Sequence, residues 1–244
     1  MHDYVVMIPA RYQSTRLPGK PLIPLCGVPM IVRTWRQCAQ VVPEALLYVA
    51  TDDARIRQVC EEHGIQVLLT SDDCLTGTDR LAEAARQVDA RVYINVQGDE
   101  PVFNPEDLAA LVAACRDDPD TIFNGVCRIE TESQYRSRSV PKVVMRPDGL
   151  LMYMSRAPIP ANKADHFVQA WRQVCAYAFP SAALQAFAAH PGKTPLEAIE
   201  DIEILRFVEL GWEVRMLPMS ELSVAVDSPE DVAHAEAAIR ARGL

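Results

Sequence analysis

At 244 residues the chain is long enough to bury one sizeable core, and α/β folds of this length are often a single domain. Its composition, 49% hydrophobic and 23% charged with no low-complexity tract, is that of a globular protein, and a net charge of -9 argues against general affinity for nucleic acid while leaving room for a small anion on a local basic patch. No apolar run is long enough to span a bilayer and no N-terminal stretch has a signal-peptide layout, so the expectation is a cytoplasmic protein without membrane insertion.

The first predicted element is the apolar, β-branched run Tyr4-Val5-Val6-Met7-Ile8, which reads as a buried parallel strand. It ends abruptly in a loop carrying Arg11, Ser14, Thr15, Arg16, Gly19 and Lys20. Ligands in open α/β sheets bind at the carboxyl ends of strands, and these cations, hydroxyls and backbone N–H groups suit phosphate. The loop is neither a Walker A loop nor a dinucleotide fingerprint, because it lacks their spaced glycines.

Residues 46–51 read as a second strand, closed by Asp52 and Asp53. Residues 55–63 follow as a helix with Ile56, Val59 and Cys60 on one face and Gly64 as its stop. A third strand at 65–69 and a fourth at 92–96 flank a short helix marked by Leu81, Ala84, Ala85 and Val88, after the turn 76–80. Asn104-Pro105 opens a helix carrying Leu108, Leu111, Val112 and Cys115. Such alternation implies parallel strands with right-handed crossovers and helices on both faces.

From about residue 120 the pattern changes. Segments 121–129, 142–145, 150–155 and 174–179 read as strands of a mixed sheet, with Pro141, Pro147 and Pro158 marking turns or edges. Residues 183–189, 196–210 and 229–242 read as helices, and 213–217 as a strand. The expected architecture is one α/β domain over residues 1–244, a mainly parallel mixed sheet flanked by helices, with a subregion at about 125–180.

The seven cysteines are scattered without a C-x-x-C pair, and the five histidines form no metal-ligand cluster, so both sets read as structural. The tryptophans Trp35, Trp171 and Trp212 read as core or interface anchors, and Ala233, Ala237 and Ala238 as the packed side of a closing helix. Glu197, Glu200 and Glu203, spaced three apart, read as a solvated acidic stripe near a helix start. The polar loop 161–170 fits either a lid or a solvated turn.

Two further motifs end apolar runs in carboxylates. In Val96-Gln97-Gly98-Asp99-Glu100-Pro101, Asp99 is placed to hold a divalent cation that bridges phosphate oxygens; the alternative is that Asp99 or Glu100 caps the helix at Pro105. In Val226-Asp227-Ser228-Pro229-Glu230-Asp231, a helix start accounts for Ser228 through Asp231. Asp227 is left over, open between a second metal ligand and a structural acid.

The run Ile8-Pro9-Ala10-Arg11-Tyr12-Gln13-Ser14-Thr15-Arg16-Leu17-Pro18-Gly19-Lys20-Pro21-Leu22 closely resembles the opening of the 3-deoxy-manno-octulosonate (Kdo) cytidylyltransferases. Matching segments at 50–52, 76–83, 95–101, 142–144, 153–160 and 226–231 extend the resemblance over most of the chain. The resemblance implies a nucleotide-diphospho-sugar-transferase fold, a homodimer with 154–156 near the subunit contact, and Mg²⁺ held by Asp99 and Asp227. It implies that Arg11, Lys20 and Asp99 carry catalysis. Pro9, Ala10, Arg11, Ser14, Arg16, Lys20, Thr76, Gly77, Arg80, Gln97 and Asp99 would face CTP. Gln97, Gln173, Tyr177, Glu203, Ile204 and Arg206 would face the sugar. The implied reaction is attack of a 3-deoxy-ulosonic acid on CTP, giving a CMP-sugar and pyrophosphate for lipopolysaccharide or another surface glycan.

The sugar half departs from the family pattern. Gln173 stands where typical members have histidine, and Ile204 where they have glutamine. Loss of an amide removes a donor and an acceptor, so a modified Kdo or a nonulosonic acid is an alternative acceptor. Another sugar nucleotidyltransferase and a non-catalytic nucleotide-binding module are further alternatives.

Overall fold

The computed structural model describes residues 1–13 and 17–244. The expected phosphate ligands Ser14 and Arg16, and Thr15 between them, lie outside the described residues.

The first half is built from β1 (His2–Ala10), β2 (Pro24–Leu25), β3 (Val28–Pro29), α1 (Met30–Ala39), β4 (Leu47–Thr51), α2 (Ala54–Glu62), β5 (Gln66–Leu69), α3 (Gly77–Ala84), β6 (Ala90–Val96) and α4 (Pro105–Asp117). The second half comprises β7 (Ile122–Arg128), α5 (Glu132–Arg136), β8 (Lys142–Met145), β9 (Leu151–Ser155), β10 (Trp171–Pro180), α6 (Ser181–Ala189), α7 (Pro195–Glu200), α8 (Ile204–Glu209), β11 (Val214–Pro218) and α9 (Pro229–Arg242).

Among the described residues nine strands form one sheet, whose main path runs β11-β7-β10-β6-β1-β4-β5. Strands β6, β1, β4 and β5 are parallel, as are β7 and β11, whereas β10 runs antiparallel between β6 and β7. Strands β8 and β9 extend the sheet through antiparallel pairing to β10 and to each other, so the sheet is mixed in its second half.

Alternation along β1 divides the core. Tyr4, Val6 and Ile8 join one cluster with α1, α2 and α4, while Val5 and Met7 join another with α3, α6 and α8. Side chains of a strand point alternately to its two faces, so burial on both sides produces the unbroken apolar run seen in the sequence. A smaller cluster packs Ala235 and Ile239 of α9 on Met30, Leu25 and Val226. Helix α9 therefore uses Ala235 and Ile239 for packing, while Ala233 and Ala237, expected inside, are exposed.

Two other differences have clear causes. The sequence offers no helical stripe at α1, because its buried residues include Arg33, Thr34 and Gln37. Arg33 offsets part of its burial penalty by donating to the carbonyls of Leu25 and Cys26. The single helix expected at 196–210 is two short helices, since Asp201 at φ 52° breaks the ladder. Aspartate tolerates this left-handed conformation better than most residues.

That break dissolves the expected acidic stripe. Glu197 is fully buried and pairs with Arg206, Glu200 accepts from Tyr153, Ser155 and Arg156, and Glu203 accepts from the backbone of α3. The loop 161–170 is mostly exposed, with Asn162 accepting from the N–H groups of Ala164 and His166, and it is tied to α5 by Arg136, which donates to the side chain and carbonyl of Asp165.

Candidate active site at the strand ends

A cavity of about 660 Å³ opens where β1 and β6 end. Pro9, Ala10 and Arg11 line it from β1, and Gln97, Gly98 and Asp99 line it from the turn after β6. The two strand ends lie so close that a Cβ on Gly98 would meet the carbonyl oxygen of Pro9 at 2.7 Å. Only glycine permits this approach, and it fixes where the next residue, Asp99, projects.

Lys20 enters from a short 3₁₀ turn that begins after Gly19, whose φ of 69° sets the chain direction. Its Nζ donates to Oδ2 of Asp99 at 2.6 Å and to Oδ1 of Asp227 at 3.1 Å. Burial alone would lower the Lys20 pKa, but Asp99 and then Asp227 outweigh it and hold the ammonium above its ordinary value. Asp227 reaches this point because the Val226 N–H donates to the Asp99 carbonyl at 2.9 Å. Ser228 and Asp231 form a capping box that opens α9, and Asp231 also accepts from the Asp227 N–H at 3.0 Å. Asn104, not Asp99 or Glu100, caps α4. Beside Asp99, the buried Glu100 has its pKa pushed up to about 8, first by burial and then by the Asp99 charge.

The wall formed by the start of α3 carries Thr76, Gly77 and Arg80. Thr76 caps the helix through its hydroxyl, and Gly77 lies against the Gln97 amide, where a Cβ would sit 3.0 Å from Nε2. Glu203 also lines the cavity and accepts from Gly77 N at 3.3 Å and Thr78 N at 2.7 Å. Its carboxyl is held above the ordinary value by burial, against the opposing bond from Thr78. Arg80 borders the cavity, but its guanidinium is committed to Asp52 at 2.9 Å and to the Thr70 hydroxyl.

Gln173, Cys175 and Tyr177 of β10 also line the cavity, the Cys175 carbonyl accepting from the Gln97 N–H at 3.3 Å. Two residues expected here are elsewhere. Ile204 is buried in the core cluster with Leu205 and Phe207. Arg206 is 1% exposed, bonded to Glu197 at 2.6 and 2.7 Å and to Asp79 at 2.9 Å, with its guanidinium over the Phe187 ring. From that segment Ile202 and Glu203 border the cavity.

Sequence reading missed the far rim, made by Arg138, Ser139, Lys193 and Asp201, and assigned Arg156 only to a subunit contact. Arg156 donates to the carbonyls of Glu200, Asp201 and Arg138 at 2.6–3.1 Å, so much of its hydrogen bonding goes to neutral acceptors. These residues come from irregular segments without periodicity; the only available signal was the number of cations around 138–156.

With this geometry in view, comparison with known proteins is decisive. The cytidylyltransferase family model matches residues 5–216. The 3-deoxy-manno-octulosonate cytidylyltransferase of Escherichia coli is 36% identical over 94% of this chain and 93% of its own length. That of Syntrophotalea carbinolica is 39% identical over 96% and 97%. The chain belongs to the 3-deoxy-manno-octulosonate cytidylyltransferase family.

A solved structure of a CMP:2-keto-3-deoxy-manno-octonic acid synthetase complexed with CTP superposes at a TM-score of 0.89, with 35% identity and 99% of both chains covered. A glucose-1-phosphate thymidylyltransferase structure from Bacillus anthracis, only 14% identical, superposes at 0.67 and shares the nucleotide-diphospho-sugar-transferase fold. In this cytidylyltransferase the residues matching the family motifs Pro9 to Arg11, Lys20, Thr76, Gly77, Gln97, Asp99 and Asp227 all border one cavity.

Proposed function

We propose that the chain transfers CMP from CTP to the anomeric hydroxyl of a 3-deoxy-ulosonic acid of the Kdo type. The hydroxyl oxygen forms a bond to the α-phosphorus, the bond to the bridging oxygen breaks, pyrophosphate leaves and the hydroxyl proton is lost to solvent. The observation that carries this reading is the convergence of Lys20, Asp99 and Asp227 at the strand ends of a cavity lined by further cations. Transfer of this kind needs positioning and charge neutralisation more than covalent chemistry. Arg11 and Lys20 would neutralise the triphosphate, while Gly77 and Gln97 would shape the nucleotide wall. Arg138 and Arg156 give the far rim the charge to receive the acceptor's carboxylate.

The donor set suits Mg²⁺. Two carboxylates from distant parts of the chain already converge on one ammonium, and hard oxygen ligands are what this ion takes. Asp99 and Asp227 would hold it, and when bound it would screen the triphosphate and acidify the acceptor hydroxyl. The homodimer is also proposed. Strand β9 pairs only with β8 among the described residues, and Met152 on it is exposed, an edge that a second copy would cover. A cytoplasmic setting, supplying lipopolysaccharide or another surface glycan, is consistent with seven free cysteines. No helix among the described residues is long and apolar enough to cross a membrane.

The test is pyrophosphate release with Mg²⁺, offering CTP, ATP, GTP and UTP in turn against Kdo, an amino-substituted Kdo and a nonulosonic acid. Turnover with CTP and Kdo supports the reading. Turnover only with another acid moves the substrate, and nucleotide binding without turnover leaves a binding module.

A further inference from the structure

Strand β10 carries a bulge between Val174 and Tyr177, opposite Asn124 of β7. Asn124 is fully buried, and its Nδ2 donates to the carbonyls of Val174 and Ala176, both at 3.0 Å. An amide nitrogen has two protons, and both are used. The Asn124 amide therefore has one orientation, with Oδ1 turned outward as an acceptor. Gln173 Nε2 donates to that oxygen at 2.9 Å. A flip of either amide would set two donors or two acceptors against each other, so the orientation of Gln173 follows from that of Asn124.

The other end of the Gln173 amide then has a defined role. Gln173 is only 8% exposed, yet it borders the cavity, and its Oε1 neither takes a hydrogen bond among the described residues nor counts among the fully buried polar atoms without partners. Gln173 and Tyr177 both line the cavity, which is the space into which an unbonded Oε1 opens on this face of β10.

We infer that Asn124 is a positioning residue that fixes Gln173 as a hydrogen-bond acceptor in the acceptor half of the cavity, so that the enzyme selects acids carrying a hydroxyl opposite Gln173 Oε1. This rests on the reading that a 3-deoxy-ulosonic acid occupies that half. A site built to bond a hydroxyl rejects the analogue lacking it, because the protein acceptor is then left dry and unpaired.

The experiment measures kcat/KM with CTP for the preferred acid and for analogues each lacking one hydroxyl, in the wild type, Gln173→Met and Asn124→Ala. In the wild type one analogue should fall by about 30-fold or more. Gln173→Met should lose a similar factor on the parent acid and discriminate that analogue by no more than about 3-fold, because the acceptor is gone. Asn124→Ala, which frees the amide to turn, should relax the same ratio while leaving the other analogues' ratios in place. Unchanged ratios in Gln173→Met overturn the inference alone, and that variant decides the matter if Asn124→Ala does not fold. Absence of turnover with every ulosonic acid overturns the acceptor reading and this inference with it.

Discussion

The ammonium of Lys20 lies 2.6 Å from Oδ2 of Asp99, a pair that joins the loop after β1 to the turn after β6 across 79 positions of sequence. Both side chains are partly exposed to the cavity, so the pair is accessible to ligand rather than sealed in the core. Removing the Asp99 charge should leave the fold intact and the chemistry impaired. For Asp99→Asn the expected fall in kcat is on the order of 100-fold or more, the scale of a lost electrostatic stabiliser. Pyrophosphate release and a thermal melt measure the two effects side by side, and near-normal turnover would remove Asp99 from the site.

Lys20 also stands between Asp99 and Asp227, where a divalent cation would be held. A cation held there would compete with Lys20 for the same oxygens. In the nucleotide-free enzyme, Lys20→Met should bind Mn²⁺ on the order of tenfold more tightly than the wild type, equivalent to about 1.4 kcal/mol. Arg11→Met, which also removes a cavity cation, should give a smaller gain. Titration followed by electron paramagnetic resonance reads this without turnover. Equal gains in the two variants would mean that only the general field has changed.

Arg206 and Glu197 form a buried pair, 1% and 0% exposed. Breaking such a pair strands the remaining charge, which costs about 3–5 kcal/mol. Arg206→Met should show that loss in urea denaturation, and the double variant with Glu197→Leu should recover part of it. The first turn of α3 should loosen as well, since Arg206 also holds Asp79. A loss below about 1 kcal/mol, the range of exposed pairs, would contradict this account.

Glu200 predicts a pH dependence. Burial would raise its carboxyl, but bonds from Ser155, Arg156 N–H and Tyr153 outweigh burial and hold it below the ordinary range. The folded form therefore binds its proton less readily than the unfolded chain, whose glutamates titrate near about 4.3. Its stabilisation is fully present above that value and is lost as pH falls through the folded pKa. Melting temperatures of the wild type and Glu200→Gln should differ at pH 7 and converge as pH falls below about 4. A gap that stays constant through the acid range counts against the assignment.

The sheet was legible because β1, β4 and β6 are apolar on both faces and end in chemically distinct residues. Lys20 lies in the loop after β1, Asp99 in the turn after β6, and Asp227 closes an apolar run that forms no strand, so each of the three followed an apolar segment that drew sequence reading to it. The acidic series was misread for a local reason. Three-residue spacing means one face only if the helix continues, and Asp201 turns the chain between Glu200 and Glu203. Ile204 and Arg206 then rotate into the core, and Ile202 borders the cavity instead. Helix α1 was hidden by polar residues that its neighbours satisfy only in three dimensions, as Leu25 does for Arg33. The far rim came from segments whose positions depend on carbonyl contacts such as those of Arg156, and no spacing rule encodes these.

The bond from Val226 N–H to the Asp99 carbonyl brings in a segment that follows every strand of the sheet. Translation therefore delivers Lys20 and Asp99 early and Asp227 late. The acid that completes this corner is thus the last of the three to be added, after the whole scaffold of strands.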